Sequence, residues 1–212
     1  MKTRFVAALT LAGSSVLLLS ACSSAGSAGG MSGMDHSATP MPASSSSSAA
    51  AASVHNAEDV SFAQGMAMHH LQAIEMSDVL LDKQGIDAKV TSLATDIKAA
   101  QDPEIAQMNA WLKSWGEMEV SSSSMTGMDH DMGSMGGGMM SKSDMDALRA
   151  ASGAKAATLF LTQMTEHHRG AVEMARTEVS QGQNADAIAL AKKIIADQTA
   201  QITQMQDLLK QG

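Results

Sequence analysis

Two His-His dipeptides, His69-His70 and His167-His168, are the residues of this chain best able to do chemistry, and each sits in the same company. Met66 precedes the first pair by about one helical turn and Met76 follows it, while Met164 and Met174 hold the same places around the second. Imidazole and thioether together make a soft donor set, which suits Cu(I) or Ag(I) rather than Mg, Ca or ferric iron. His69 and His167 fall on an apolar seam, with His70 and His168 about 100° further round the helix. A seam histidine serves equally as a hydrogen-bonded core residue, and a seam methionine as packing, so ligation is one of two readings.

The elements that carry these residues come from an internal repeat. Phe62, Met66, His69, His70, Ala73, Glu75 and Met76 match Phe160, Met164, His167, His168, Ala171, Glu173 and Met174 at a constant offset of 98. Downstream the offset is 97, pairing Gly85 with Gly182, Leu93 with Leu190, Ile97 with Ile194 and Gln101 with Gln198. Phe62, Met66, His69, Ala73 and Met76 step 4, 3, 4, 3, the spacing of a buried helical seam, and the second copy repeats it. Gly85 and Gly182 stand where a helix ends, and Asp87 and Asn184 where the next begins. Each copy reads as helix, short turn, helix, and two such αα-hairpins make an all-α four-helix bundle. Pro103 is the irregularity, since its ring opposes the carbonyl of Ala99 and should kink the second helix.

Pairing within the hairpins suggests a supporting shell. His69 lies 16 residues before Gly85 and Gln101 lies 16 after it, so antiparallel packing sets them level; His167 and Gln198 hold the corresponding places around Gly182. An amide beside an imidazole can fix its tautomer and free the other ring nitrogen for a metal, or simply hold it as a structural pair. If the linker joins adjacent ends of the hairpins, both turns lie at one end, and Met66 and Met164 add two thioethers to one site with His69 and His167. A linker of about twenty residues could also cross the bundle and invert the second hairpin.

Outside the hairpins the chain is of low complexity. Residues 1–21 read as a secretory leader, since Lys2 and Arg4 precede an apolar run from Phe5 to Leu19 that is short for a membrane span. The run ends Leu19-Ser20-Ala21-Cys22, which resembles a bacterial lipobox. Cys22 is therefore expected to carry lipid and to anchor the mature chain outside the cytoplasm, at the cell membrane or the outer membrane. Residues 22–55 read as a disordered Ser/Ala/Met-rich tether, 56–119 as the first hairpin, 120–143 as a Met/Gly/Ser-rich linker and 144–212 as the second hairpin. Met31, Met34 and His36 in the tether recur as Met125, Met128 and His130 in the linker, where Met132 and Met135 follow. Methionine has no core to fill in such segments, and thioethers need no deprotonation and form no disulfides, so these residues are further candidate Cu(I) ligands.

Composition narrows the function classes. With 19 Met and one Cys among 212 residues, a disulfide scaffold and a Cys-based zinc site are excluded. Aromatic residues are 2% of the chain, which favours closely packed helices over a β-sandwich. A net charge of -8 argues against nucleic acid as a partner.

The duplicated pattern of Met66, His69, His70 and Met76 with Met164, His167, His168 and Met174 resembles the bacterial extracytoplasmic family catalogued as domain of unknown function 305 (DUF305). The resemblance covers about residues 56–212 and implies a ferritin-like helical bundle and a copper-binding protein, since members are linked with copper and silver handling. Sequestration, storage and delivery to a copper exporter or chaperone all fit that expectation. The rivals are a di-iron bundle enzyme, a noncovalent haem protein and a metal-free envelope lipoprotein. No Glu-x-x-His motif, nucleophile constellation or Cys-x-x-Cys-His occurs, so neither an enzyme nor a covalent haem is expected.

Overall fold

Small polar residues just ahead of the periodic apolar segments start most of the helices in the computed structural model, which describes residues 54–123 and 137–211. The elements are α1 (Ala57–Leu81), α2 (Ala88–Trp115), α3 (Lys142–Ala150), α4 (Gly153–Gln181) and α5 (Ala185–Leu209). Asn56 caps α1 by accepting from the N–H groups of Glu58 and Asp59, and the Asp59 carboxylate accepts from Asn56 N in return. Asp87 and Asn184 cap α2 and α5, the two positions expected. Gly85, at φ 73°, supplies the left-handed residue of the α1–α2 turn. α2 runs through Pro103 as one helix, with the proline on its exposed side. The four long helices form an all-α ferritin-like bundle of two αα-hairpins, and α3 is an addition to it.

Two apolar clusters make up the core. One joins Ala73, Met76 and Leu80 of α1, Val90, Leu93 and Ile97 of α2, Phe160 and Met164 of α4 and Met205 of α5. The other joins Phe62 and Met66, Met108 and Leu112, Ala171 and Ala175, and Ala187, Leu190 and Ile194 from the same four helices. The start of α1 therefore packs beside the end of α4, and the two helices are antiparallel. Hydrogen bonds at the ends agree: Asn56 Nδ2 donates to Gln181 O at 2.8 Å, and Gln183 N and Asn184 N donate to Asp59 Oδ1 at 3.0 and 2.8 Å. At the other end the Gly85 turn faces Gly153.

The two turns thus lie at opposite ends of the bundle, and the arrangement with both turns at one end is corrected. The second hairpin is inverted, which opposes the dipoles of α1 and α4. His69 and His167 are level all the same. His69 is the central residue of the 25-residue α1 and His167 that of the 29-residue α4, so turning either helix end for end leaves its histidine in place.

The chain between the hairpins is partly built into the fold. Gly137 and Gly138, at φ 78° and 75°, lie on Gly170 of α4, where a Cβ would stand 1.6 Å from Gly137 O. Gln72 of α1 clasps Met140 twice, donating from Nε2 to Met140 O at 2.9 Å and accepting from Met140 N at 2.7 Å. α3 then buries Met145 and Leu148 in the cluster at the α1–α2 turn end. Cys22, Met31, Met34 and His36 lie outside the described residues, as do Met125, Met128, His130, Met132 and Met135. Among the described residues no helix is long and apolar enough to cross a membrane.

Candidate metal centre

Between the two apolar clusters each long helix contributes polar residues to one layer: His69 and His70 from α1, Gln101 and Glu104 from α2, His167 and His168 from α4, Gln198 and Gln201 from α5. All four histidines are at most 1% exposed. The His69 and His167 rings meet across the hairpin interface, with centroids 3.6 Å apart and planes inclined by 39°.

Hydrogen bonds set the tautomers. His69 Nε2 is 2.7 Å from Gly137 O, a carbonyl that can only accept, so Nε2 carries the proton and Nδ1 holds a lone pair. His70 Nε2 donates to Glu104 Oε2 at 2.7 Å, and His168 Nε2 pairs with Gln201 Oε1 at 2.8 Å. The Nδ1 atoms of His69, His70 and His168, and both nitrogens of His167, are buried without hydrogen-bond partners. Both side-chain atoms of Gln101 and the Gln198 Oε1 share that condition. Each buried polar group left without a partner costs about 1–3 kcal/mol, so a ligand that engages this layer removes a standing penalty.

Electrostatics keep three of the imidazoles uncharged. Burial, reinforced by His70, pulls His69 down to about 3 against the opposing bond from Gly137. Burial also lowers His168 to about 4, against the bond to Gln201, and holds His167 well below the ordinary histidine range. Neutral imidazoles with bare ring nitrogens are metal ligands and poor proton carriers at neutral pH. Burial alone would raise Glu104, but hydrogen bonds from His70 and Lys193 bring it below the usual carboxylate range. Lys193 Nζ reaches the other Glu104 oxygen at 2.8 Å.

Three placements differ from the sequence reading. Gln101 is in the layer but bonds to no histidine, and Gln198 Oε1 is likewise unpartnered. The supporting partners are instead Gly137 O, Glu104 and Gln201. Glu104 and Gln201 correspond in the repeat at its offset of 97, a signal the unlike residue types concealed. Met66 and Met164 do not share a side of the layer, because the inverted hairpin puts them in opposite apolar clusters. Met76 is buried in the cluster with Met164, whereas Met174 lies over Gly65 and against Gly137, the first residue of a strap of residues 137–140 whose Gly137 carbonyl meets His69. Among the described residues no three His, Cys, Asp or Glu side chains converge closely enough to enclose an ion. The donors present, four imidazoles flanked by thioethers, nevertheless match the chemistry of Cu(I) and Ag(I).

Comparison with known proteins follows the same residues. The family pattern described as domain of unknown function (DUF305) matches residues 59–209. A DUF305 protein from Streptomyces coelicolor, provisionally described as secreted, is 35% identical with a TM-score of 0.63, and the alignment covers 73% of this chain and 93% of that one. A DUF305 fragment from Deinococcus radiodurans is 28% identical with a TM-score of 0.62, covering 74% and 98%. CopM in its Cu(II)-bound form is 31% identical with a TM-score of 0.61, covering 72% and 96%. CopM is also solved in Cu(I)-bound and Ag-bound forms. Comparison with curated protein sequences gives no match.

Proposed function

The chain belongs to the DUF305 family, and on that premise we propose that it binds copper, as Cu(I) in its resting form, in the histidine layer at the middle of the bundle. The observation that carries this reading is the set of buried, unpartnered Nδ1 atoms whose opposite ring nitrogens are already committed to Gly137, Glu104 and Gln201. Most buried side-chain polar atoms in folded proteins have a partner, so bare ring nitrogens on four neighbouring buried histidines point to a ligand. The ions held by CopM, Cu(I), Cu(II) and Ag, are the ones this donor set suits. His69 and His167 are the central ligands, His70 and His168 complete or extend the site, and Met66, Met76, Met164 and Met174 supply thioethers from either side.

The role is copper sequestration, storage or delivery outside the cytoplasm, without catalysis. Cys22 carries the lipid anchor, and the Met-rich segments, with Met31, Met34 and His36 in one and Met125, Met128, His130, Met132 and Met135 in the other, collect Cu(I) or Ag(I) weakly for the core. A copper exporter or chaperone is the partner that such a protein would serve. Cu(I) titration under anaerobic conditions, followed by native mass spectrometry, tests the reading. A discrete bound ion retained by a variant in which Met31, Met34, Met125, Met128, Met132 and Met135 are all changed to Leu supports it, and binding lost with those methionines would contradict it.

A further inference from the structure

The repeat sets unlike partners against the two outer histidines of the layer. His70 corresponds to His168 and Glu104 to Gln201, so one outer imidazole leans on a carboxylate and the other on a neutral amide at nearly the same distance, 2.7 against 2.8 Å. The Glu104 charge is not cancelled locally. Its cation, Lys193, is shared with Asp197 at 2.6 Å, so these three side chains together carry one net negative charge. Glu104 is 7% exposed, and water screens it little.

We propose that Glu104 is a positioning residue that makes the two halves of the centre unequal, so that the His70 half stabilises Cu(II) relative to Cu(I) and the His168 half does not. The inference rests on the copper reading above. A carboxylate hydrogen-bonded to the far nitrogen of a ligating imidazole raises its basicity and fixes its direction. The same negative charge attracts a dication more strongly than a monocation. An amide on His168 orients that ring without adding charge, and its half keeps the preference for Cu(I) that imidazole and thioether donors have by themselves.

The test compares the full-length parent protein with Glu104→Gln, Gln201→Glu and Lys193→Met. Cu(I) affinity is read by competition with a chromogenic chelator, and the Cu(II)/Cu(I) balance by spectroelectrochemical titration of the copper-loaded protein. Glu104→Gln should keep Cu(I) affinity within a few-fold and weaken Cu(II) by about tenfold, which raises the midpoint potential by about 59 mV. Gln201→Glu and Lys193→Met should shift it downward, the latter by unmasking the carboxylate from a side chain already 56% exposed. Lys193→Met also decides the matter if Glu104→Gln fails to fold. Unchanged potentials in a parent and variants that all bind Cu(I) would overturn the proposal while leaving the copper reading intact. A parent that binds no copper would overturn the reading beneath it.

Discussion

The His69 and His167 rings stand 3.6 Å apart, centroid to centroid, at the midpoints of two antiparallel helices drawn from the two halves of a duplicated sequence. Two imidazoles held this close in a dry core cannot both carry a proton without like-charge repulsion added to the cost of burial. These two imidazoles are therefore uncharged, and the consequences can be measured without metal.

Acid should weaken the metal-free fold. His69 and His168 titrate near 3 and 4 in the folded chain but near the ordinary 6.5 once unfolded, so the unfolded chain takes up protons first. Their contribution is complete above about pH 6.5 and is lost below it at about 1.4 kcal/mol per histidine per pH unit, until the folded values are reached. Urea titrations at stepped pH between about 7 and 5 should show this decline, and a flat profile would mean the rings are not held neutral.

Glu178 acts in the opposite direction. Burial and the neighbouring Asp59 raise it to about 8, so its contribution is full below about pH 4.5 and is lost as pH rises through 8. Glu178→Gln should remove this loss between about pH 4.5 and 8, and so steepen the histidine decline seen over the same range. Equal pH dependence of parent and variant over that range would place the loss elsewhere.

Gly170→Ala should expel the strap at Gly137, because the added Cβ would lie 1.6 Å from a backbone oxygen that cannot rotate away. The expected cost is on the order of 1–3 kcal/mol. With Gly137 O gone, His69 loses the acceptor that fixes its tautomer, and its ring-nitrogen NMR shifts should change from one tautomer to a mixture. A single tautomer in the variant would mean that another group orients His69.

Cys22→Ala should abolish acyl labelling and release the protein from the lipid-anchored membrane fraction. Acylation of the variant at the parental level would remove the lipoprotein assignment.

Much of this arrangement is legible before folding, and the remainder fails for identifiable reasons. The repeat pairs His69 with His167, and the Asp87 and Asn184 caps mark where the second helix of each hairpin begins, because these depend on local spacing alone. The orientation of the second hairpin depends on end contacts such as Asp59 with Asn184 N, 125 residues apart, which no periodicity encodes. Counting from the turn sets Gln101 level with His69 but gives height and not side-chain direction; Glu104, about one turn on, is where the His70 ring points. The strap is not legible in the sequence because its grip on Gln72 uses only the Met140 backbone, which composition cannot distinguish from a linker.

The central claim is tested most directly by anaerobic Cu(I) competition against a chromogenic chelator, comparing the parent with a His69→Gln/His167→Gln double variant that keeps a hydrogen-bonding amide at each position. The bundle centre predicts at least a tenfold weaker tightest site in the variant, with helix content unchanged by circular dichroism. Equal affinity in the two proteins would contradict it and return both histidines to a purely structural role.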